Sequence, residues 1–200
     1  MKRIFDIVIS FIGLLILSPI LLVIALLIKL ESRGPVFYRG ERVGKDGKIF
    51  RIYKFRSMIV DADKVGGSTT SGKDQRVTGV GKVVRKYKLD ELSQLINVLF
   101  GDMSMVWPRP QVQWAVDTYN EDERRILQLR PGITDWASIK FHNEGEIIAN
   151  SGMADPDEAY MKLIHSEKTR LQLRYLKEHN IWIDIQIIFQ TAATLFVTRV

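Results

Sequence analysis

The chain has 200 residues, close to the usual size of a single domain, and it contains no cysteine. Disulfides, thiolate metal sites and thiol nucleophiles are therefore excluded, so any covalent chemistry must use an oxygen or nitrogen atom. The formal net charge is +6. Basic residues outnumber acidic ones about two to one between positions 33 and 109. This predicts an anionic partner: a phosphorylated substrate, an acidic lipid headgroup or nucleic acid.

The first element is an almost continuously apolar segment at residues 4–28. It is long enough to cross a bilayer as a helix, and it is too long for a secretory signal, with no small-residue cleavage pattern after it. Pro19 lies near its middle, where the missing N–H and the ring disturb the hydrogen bond to Leu15. Ser18 can satisfy a backbone group that Pro19 frees. The segment is predicted to be a membrane helix that breaks at Ser18-Pro19.

Positive charges flank both ends of this segment. Lys2 and Arg3 precede it, and four bases follow between positions 29 and 42. Because cytoplasmic flanks favour Lys and Arg, this distribution draws both ends to the same side of the membrane. Each half, roughly 20 Å long, reaches through about one leaflet. The residues leave two interpretations open, a re-entrant helix and an ordinary kinked spanning helix.

The rest of the chain predicts an α+β unit that is mainly helical. A small β-hairpin is predicted around the turn Lys45-Asp46-Gly47, because side chains alternate on either side of it. Residues 63–78, rich in Gly, Ser and Thr, predict a loop that could close over a substrate. Helices are predicted over 81–100 and 156–179. The apolar last 20 residues predict a helix lying against the membrane or the core.

Asp90 and Glu91 are adjacent carboxylates at the start of the second part of the predicted helix over 81–100, just after the bases Arg85, Lys86 and Lys88. A helix N-terminus and neighbouring cations both favour the ionised form of an acid. The pair should therefore be able to hold a divalent metal or to attack phosphorus. For these residues alone, the alternative is a helix cap with solvated charges.

Further motifs connect this acidic pair to a known family. They are KRIFDI at residues 2–7, Ser18-Pro19, Gly34-Pro35-Val36, KFRSM at 54–58, LDEL at 89–92, Asn97-Val98, GDMS at 101–104, Pro108-Arg109-Pro110 and RPGIT at 130–134. In these motifs the chain resembles the bacterial sugar transferases, the monotopic phosphoglycosyl transferases that start glycan assembly on undecaprenyl phosphate. The resemblance extends over about two-thirds of the chain. The length of the chain matches the minimal catalytic form of that family.

The resemblance implies both an architecture and a reaction. Residues 1–32 would form a re-entrant membrane helix, and residues 33–200 a cytoplasmic catalytic domain with amphipathic interfacial helices. Asp90 would be the nucleophile that takes the phosphosugar as an acyl phosphate and expels a nucleoside monophosphate. Glu91 would be its partner in the active site, with a Mg²⁺ ion held by Asp90 against the diphosphate. Undecaprenyl phosphate would then attack the intermediate, although direct attack on the donor, oriented by a metal-bound Asp90, stays open.

Five further residues are predicted to bind substrate. Arg109, held between two prolines, would donate two hydrogen bonds to a phosphate. Lys54 and Arg56 would line the diphosphate site and Arg85 would bind the lipid phosphate, with a solvated surface charge as the alternative for each base. Asp184 is a carboxylate within an apolar stretch and needs a partner. By position it is similar to the C-terminal acid of the family, which would support the site, and a buried structural ion pair is the alternative.

Three features depart from the family pattern: Trp107 before Pro-Arg-Pro, Asp135-Trp136 after the RPGIT motif, and residues 138–155. They fall where sugar contacts are expected, so the sugar is not predicted. The predicted partners are a UDP-sugar, undecaprenyl phosphate and lipid of the bacterial inner membrane, with the catalytic domain facing the cytoplasm. Nucleic acid is not expected, and the oligomeric state is not predicted.

The competing class is a membrane-tethered protein that binds anionic lipid or nucleic acid through its basic half. Aromatic residues interleaved with bases in this half would suit stacking on nucleic-acid bases. This class fails to explain why Asp90, Glu91 and Asp102 lie inside the basic region, where they would repel a phosphate backbone.

Overall fold

The computed structural model describes residues 1–62 and 74–197 of the chain. Within these residues the protein is a mainly helical α+β unit, as predicted, with one long apolar helix at the N-terminus, three two-stranded sheets and a series of shorter helices. Residues 63–73, most of the predicted loop at 63–78, lie outside the described residues.

Helix α1, Lys2–Glu31, contains the whole apolar segment and continues through Ser18 and Pro19. Pro19 has no N–H for the Leu15 carbonyl, and Ser18 Oγ donates to that carbonyl at 2.8 Å instead. The predicted break is therefore not an interruption of the helix. Among the described helices, α1 alone is long and apolar enough to cross a membrane. Length and composition fit a re-entrant and a spanning helix equally.

One face of α1 packs on the rest of the protein from one end of the helix to the other. Near its start, the buried Asp6 accepts a hydrogen bond from the Met105 N–H at 3.0 Å. Its C-terminal half joins a core cluster around Phe55. Near its end, Glu31 accepts a hydrogen bond from the Val80 N–H at 3.0 Å. The opposite face exposes apolar side chains: Ile4, Phe11, Leu15, Ile16, Leu22, Val23, Leu26 and Leu30.

The predicted hairpin is confirmed. Strand β2, Glu41–Val43, pairs antiparallel with β3, Ile49–Arg51, around the predicted turn. Antiparallel pairing resumes at the open end of the hairpin, where β1, Phe37–Tyr38, pairs with β4, Lys54–Phe55. This outer pair positions Lys54, one of the predicted site residues.

The single helix predicted over residues 81–100 is wrong in detail, because the chain turns in its middle. Helix α2, Gly79–Lys86, ends before Lys88, which has a left-handed backbone with φ +52°. A 3-10 segment, Leu89–Gln94, follows and leads into α3, Leu95–Phe100. Gly101, also with positive φ, then ends the helix as predicted.

A short parallel pair of strands begins directly after α3 in the chain. Strand β5, Ser104–Val106, pairs with β6, Gly132–Thr134. Gly132 permits this pairing because a Cβ atom there would lie 2.1 Å from the backbone nitrogen of Trp107. The RPGIT motif is thus held against the chain just before Pro108-Arg109-Pro110. The position of Arg109 depends on this contact.

The remaining described chain is mostly helical and includes a 3-10 segment, Arg125–Gln128. The helices in order are α4, Gln113–Asp117; α5, Glu121–Arg124; α6, Trp136–Lys140; α7, Glu144–Ala149; α8, Pro156–Tyr160; α9, Ser166–Glu178; and α10, Ile181–Val197. The helical prediction over 156–179 is confirmed, with a π-helical turn, Met161–His165, between α8 and α9. Helix α10 buries Ile187 against β5 and exposes Trp182 and Phe189, so it packs on the core with an apolar outer face.

Candidate active site

Four of the predicted site residues meet in one cluster, which we call the charged quartet: Lys54, Asp90, Glu91 and Arg109. Lys54 Nζ lies 3.0 Å from Asp90 Oδ2 and 3.2 Å from Glu91 Oε1. Arg109 Nη1 lies 2.7 Å from Glu91 Oε2. Two cations and two carboxylates thus alternate along one connected set of ion pairs, with Glu91 between Lys54 and Arg109.

Three separate parts of the fold bring the quartet together. Lys54 comes from β4, Arg109 follows β5, and the acidic pair occupies the first turn of the 3-10 segment. That segment starts where it does because Lys88 adopts positive φ, a conformation unfavourable for a side chain with a Cβ atom. Backbone strain of this kind is concentrated at functional sites.

Burial and charge act in opposite directions on three members of the quartet. Burial alone would raise the pKa of Glu91, but Arg109 and Lys54 outweigh it and hold that pKa well below its usual range. Burial alone would lower the pKa of Lys54, but Glu91 and Asp90 outweigh it and raise that pKa. Burial also opposes the charge of Arg109, whose pKa Glu91 nevertheless raises. All three side chains therefore stay charged at physiological pH.

Asp90 is the buried member of the quartet, with 3% of its surface exposed. Its Oδ2 contacts Lys54, whereas its Oδ1 is buried without a hydrogen-bond partner among the described residues. A buried carboxylate oxygen in this state is costly, because it has lost water and gained no donor in return. An unpaired carboxylate oxygen is a candidate ligand for a cation, although Asp90 itself does not line the cavity described below.

The donor set suits a magnesium ion that a substrate helps to hold. Within residues 1–62 and 74–197, no group of three or more His, Cys, Asp or Glu side chains could bind a metal by itself. Mg²⁺ at phosphate sites commonly takes only one or two carboxylates and completes its coordination with substrate phosphates and water. Asp90 Oδ1 can supply one such carboxylate oxygen, so the residues present fit the predicted ion.

A cavity of about 710 Å³ lies beside the quartet and is within the size range of small-molecule sites. Glu91 and Arg109 line it, as does Lys88. Another part of its wall carries Lys168 and Glu144, whose charged atoms lie 2.8 Å apart. Neither residue of this second pair was predicted from the sequence as a site residue. Nothing in the local sequence connects the two positions, which come together because α7 packs on α8 and on the π-helical turn that leads into α9.

Two of the bases predicted to bind phosphate, Arg56 and Arg85, lie outside the charged quartet. Arg56 is buried and donates from Nη1 to the Arg33 carbonyl at 2.8 Å and from Nη2 to Ser32 Oγ at 2.9 Å. It therefore holds the chain where α1 ends. Arg85 donates from Nε to Ser57 Oγ at 2.7 Å, which ties α2 to the segment after β4. In these contacts both arginines bind other parts of the chain and not the quartet.

Asp184 also lies outside the quartet. It forms a buried ion pair with Lys2, which was the alternative to a role in the site. Its side chain accepts hydrogen bonds from Lys2 Nζ at 2.6 Å and from the Tyr175 hydroxyl. With 1% of its surface exposed, it joins α10 to α9 and to the start of α1. Burial and this carboxylate raise the pKa of Tyr175, so the hydroxyl stays a donor.

Trp107 and Asp135, two of the departures from the family pattern, are both buried in the fold. Trp107 is buried in a core cluster, where its ring meets those of Tyr175 and His179 edge to face at centroid distances of 5.0 and 4.9 Å. Asp135 is buried and caps α6 by accepting the Ser138 N–H at 2.6 Å.

The sequence model of the family described as bacterial sugar transferase matches residues 1–198. The chain belongs to the bacterial sugar transferase family. This bears out the resemblance seen in the motifs.

Several curated proteins are similar to the chain. An Aeromonas hydrophila protein named UDP-N-acetylgalactosamine-undecaprenyl-phosphate N-acetylgalactosaminephosphotransferase is 40% identical over 197 residues, covering 97% of this chain and 43% of that protein. An Escherichia coli protein named UDP-glucose:undecaprenyl-phosphate glucose-1-phosphate transferase is 40% identical over 207 residues, covering 100% of this chain and 41% of its own length. The chain therefore spans about two-fifths of these two relatives. A Sinorhizobium fredii protein named exopolysaccharide production protein ExoY is 30% identical over 213 residues. The match covers 99% of this chain and 86% of that protein.

Proposed function

We propose that this chain transfers a sugar 1-phosphate from a UDP-sugar to undecaprenyl phosphate, giving undecaprenyl diphosphate-sugar and UMP, as the first membrane step of glycan assembly. The observation that carries the proposal is the charged quartet beside a cavity whose other walls include α1. The A. hydrophila and E. coli relatives are named for sugar-phosphate transfer to undecaprenyl phosphate. The membrane helix and the phosphate-binding charges suit the two substrates in those names.

The charge balance of the quartet supports a requirement for Mg²⁺. Its two cations and two carboxylates sum to zero, whereas a donor diphosphate brings about two negative charges. A magnesium ion held by Asp90 Oδ1 and the diphosphate would supply the missing positive charge and polarise the phosphorus. Lys54 and Arg109 then donate to the non-bridging phosphate oxygens, where charge develops as the bridging bond breaks.

Asp90 acts as the nucleophile in a double displacement. One carboxylate oxygen bonds to the phosphorus that carries the sugar, the bond from this phosphorus to the bridging oxygen breaks, and UMP leaves with that oxygen. An oxygen of undecaprenyl phosphate then attacks the same phosphorus, which restores the carboxylate. Lys54 covers Asp90 before the donor binds, so movement of its ammonium group toward the diphosphate exposes the nucleophile.

The packing of α1 supports entry and exit of this helix at one membrane face. The helix spans about 45 Å at 1.5 Å per residue, longer than the roughly 30 Å hydrocarbon core. Asp6 near one end and Glu31 near the other both bond to the backbone of the same domain. Contact of one domain with both ends of the helix supports a position of both ends at the same membrane face. We therefore place the helix as a re-entrant element and the domain at the cytoplasmic face.

The absence of cysteine from the sequence makes this topology testable by single-cysteine labelling. One cysteine would be added in a short extension before Met1 and another introduced as Arg33→Cys. Both should resist a membrane-impermeant maleimide in intact cells and react after permeabilisation. Labelling of only one of them from outside would establish a spanning helix.

Binding of nucleic acid or bulk anionic lipid through the basic half is less favoured. Lys54 and Arg109 pair with the carboxylates of the quartet, and Arg56 donates to the Arg33 carbonyl, so these bases already have partners within the protein.

The direct test of the proposed function is release of UMP from a panel of UDP-sugars by nanodisc-held protein, with undecaprenyl phosphate and Mg²⁺. Wild-type protein should release many UMP molecules per protein from one or a few donors when the lipid phosphate is present and at most about one without it, and EDTA should abolish release. Folded protein that releases UMP from none of the donors would refute the proposal.

A further inference from the structure

Glu144 and Lys168 line the same cavity as the quartet residues Glu91 and Arg109. Burial would lower the pKa of Arg109, Glu91 raises it, and Glu144 adds a smaller increase. The Glu144–Lys168 pair therefore lies within electrostatic reach of the quartet. A cavity of about 710 Å³ is large enough for one ligand that contacts both sets of charges. In the proposed reaction this ligand has its diphosphate at the quartet.

Lys168 is held in the cavity wall by two contacts. Its ammonium group lies 2.8 Å from Glu144 Oε2 and 5.0 Å from the centre of the Tyr160 ring, and an aromatic face attracts a cation. The lysine is buried, which is rare for this residue type unless its charge is paired. The contacts keep a positively charged donor in a fixed place on the wall.

Glu144 can still bind a ligand after this contact. Lys168 reaches only its Oε2 atom, and Oε1 accepts no hydrogen bond from the part of the chain that the structure describes. The side chain is 35% exposed, so a ligand in the cavity can reach it. An ionised carboxylate only accepts hydrogen bonds, and sugar hydroxyl groups can donate them.

The segment that carries Glu144 favours the sugar over the nucleotide as the group it contacts. The A. hydrophila relative is named for UDP-N-acetylgalactosamine and the E. coli relative for UDP-glucose. These names share the nucleotide and the acceptor and differ in the sugar. Residues that select the sugar should therefore lie outside the motifs in which this chain resembles the family. Residues 138–155, which include Glu144, depart from that pattern.

We propose that the Glu144–Lys168 pair recognises the sugar of the donor, with the carboxylate accepting hydrogen bonds from sugar hydroxyls and the ammonium group donating to a sugar oxygen. This inference rests on the proposed function and adds to it the residues that select the sugar. A pair of opposite charges offers an acceptor and a donor side by side, which suits neighbouring oxygens of a polyhydroxylated ring.

Two glutamates of α7 provide a matched pair of variants. Glu144→Gln keeps the shape of the side chain and removes its charge. Glu146 lies in the same helix, is exposed and is not among the residues that line the cavity, so Glu146→Gln is the control. Both are compared with wild type in UMP release from the preferred UDP-sugar and from analogues that each lack one sugar hydroxyl.

The kinetic result should depend on which hydroxyl is missing. In wild type, the analogue without the hydroxyl that Glu144 binds should lose at least roughly tenfold in kcat/KM. Glu144→Gln should lose as much with the preferred donor and little more with that analogue, because both changes remove the same hydrogen bond. The inhibition constant of UDP should stay within about twofold, and Glu146→Gln should match wild type throughout.

Two results would overturn the inference while leaving the proposed function intact. One is wild-type kinetics in Glu144→Gln, or losses that simply add for every analogue, which would mean that the carboxylate contacts no sugar hydroxyl. The other is a parallel rise in the inhibition constant of UDP, which would place the nucleotide at this pair. Failure of the proposed function would instead appear as an absence of UMP release in wild type.

A binding measurement tests the inference without turnover, on an Asp90→Asn background. The preference for the UDP-sugar over UDP, taken as the ratio of the two dissociation constants, should shrink several-fold when Glu144→Gln or Lys168→Met is added. Glu146→Gln should leave this ratio unchanged. Equal ratios in all these proteins would refute the site. Matching thermal unfolding curves for Glu144→Gln and Glu146→Gln would show that both are folded.

Discussion

Two buried aspartates in this protein each contact a lysine and yet differ in what their second oxygen does. Asp184 receives Lys2 at one oxygen and the Tyr175 hydroxyl at the other, so both of its oxygens have donors. Asp90 receives Lys54 at Oδ2, while Oδ1 is buried with no donor from the described part of the chain. A satisfied buried carboxylate stabilises a fold, whereas an unsatisfied one is retained at a cost and indicates a ligand or a reaction.

The largest expected effect is on catalysis and separates the two aspartates. Asp90→Asn removes the nucleophilic charge and should lower lipid-dependent UMP release at least about 10³-fold, because loss of one member of a catalytic set commonly costs that much. Asp184→Asn is the matched control and should retain activity within several-fold. Comparable losses in the two variants would contradict the distinction between the sites.

The next effect concerns the guanidinium of Arg109. Arg109→Lys keeps the charge next to Glu91 but loses the planar pair of donors, so turnover should fall about 10- to 100-fold. The exposed Arg124 allows the same exchange away from the site, and Arg124→Lys should be indistinguishable from wild type in the UMP-release assay. Full activity of Arg109→Lys would show that only the charge at this position matters.

The sequence predicted the parts of the site that lie in short, self-contained motifs. The hairpin that carries Lys54, the acidic pair and the rigid Pro-Arg-Pro segment were all identified in advance, because turn residues, adjacent charges and prolines are local signals. The helix over 81–100 was not recognised as interrupted. A left-handed Lys88 leaves no mark in the sequence, unlike a glycine in the same conformation.

The sequence alone could not show which of the predicted site residues lie outside the quartet, namely Arg56, Arg85 and Asp184. Each is a charged residue in a plausible place, and what distinguishes them is a partner far along the chain. Asp184 meets Lys2 across 182 positions, and Arg85 meets Ser57 across 28. Such pairs are set by tertiary packing, which neither periodicity nor motif spacing describes.

A smaller effect, on stability, should appear at Asp184 and not at Asp90. Asp184→Asn removes the negative charge that Lys2 and Tyr175 contact inside the core, so the free energy of unfolding should fall by about 1–3 kcal/mol. For a chain of this size, each kcal/mol corresponds to roughly 2–4 °C in Tm, which thermal unfolding in detergent can resolve. An Asp90→Asn variant that loses as much stability would show that both carboxylates are structural.

The smallest effect is expected at the hydroxyl of Tyr175. Tyr175→Phe keeps the ring against Trp107 but leaves one Asp184 oxygen without its donor, which should cost about 1 kcal/mol of stability. The same thermal unfolding measurement applies, and UMP release should be unchanged. An unchanged Tm would mean that this hydroxyl does not stabilise Asp184.

Intact-mass measurement of the protein with its UDP-sugar and Mg²⁺, before any lipid phosphate is added, would decide whether Asp90 forms a covalent phosphosugar intermediate. We expect a mass increase equal to one phosphosugar, located at Asp90 by peptide analysis, absent from Asp90→Asn and discharged when undecaprenyl phosphate is supplied. Rapid lipid-dependent turnover with no adduct at any time, or an adduct that persists in Asp90→Asn, would contradict it.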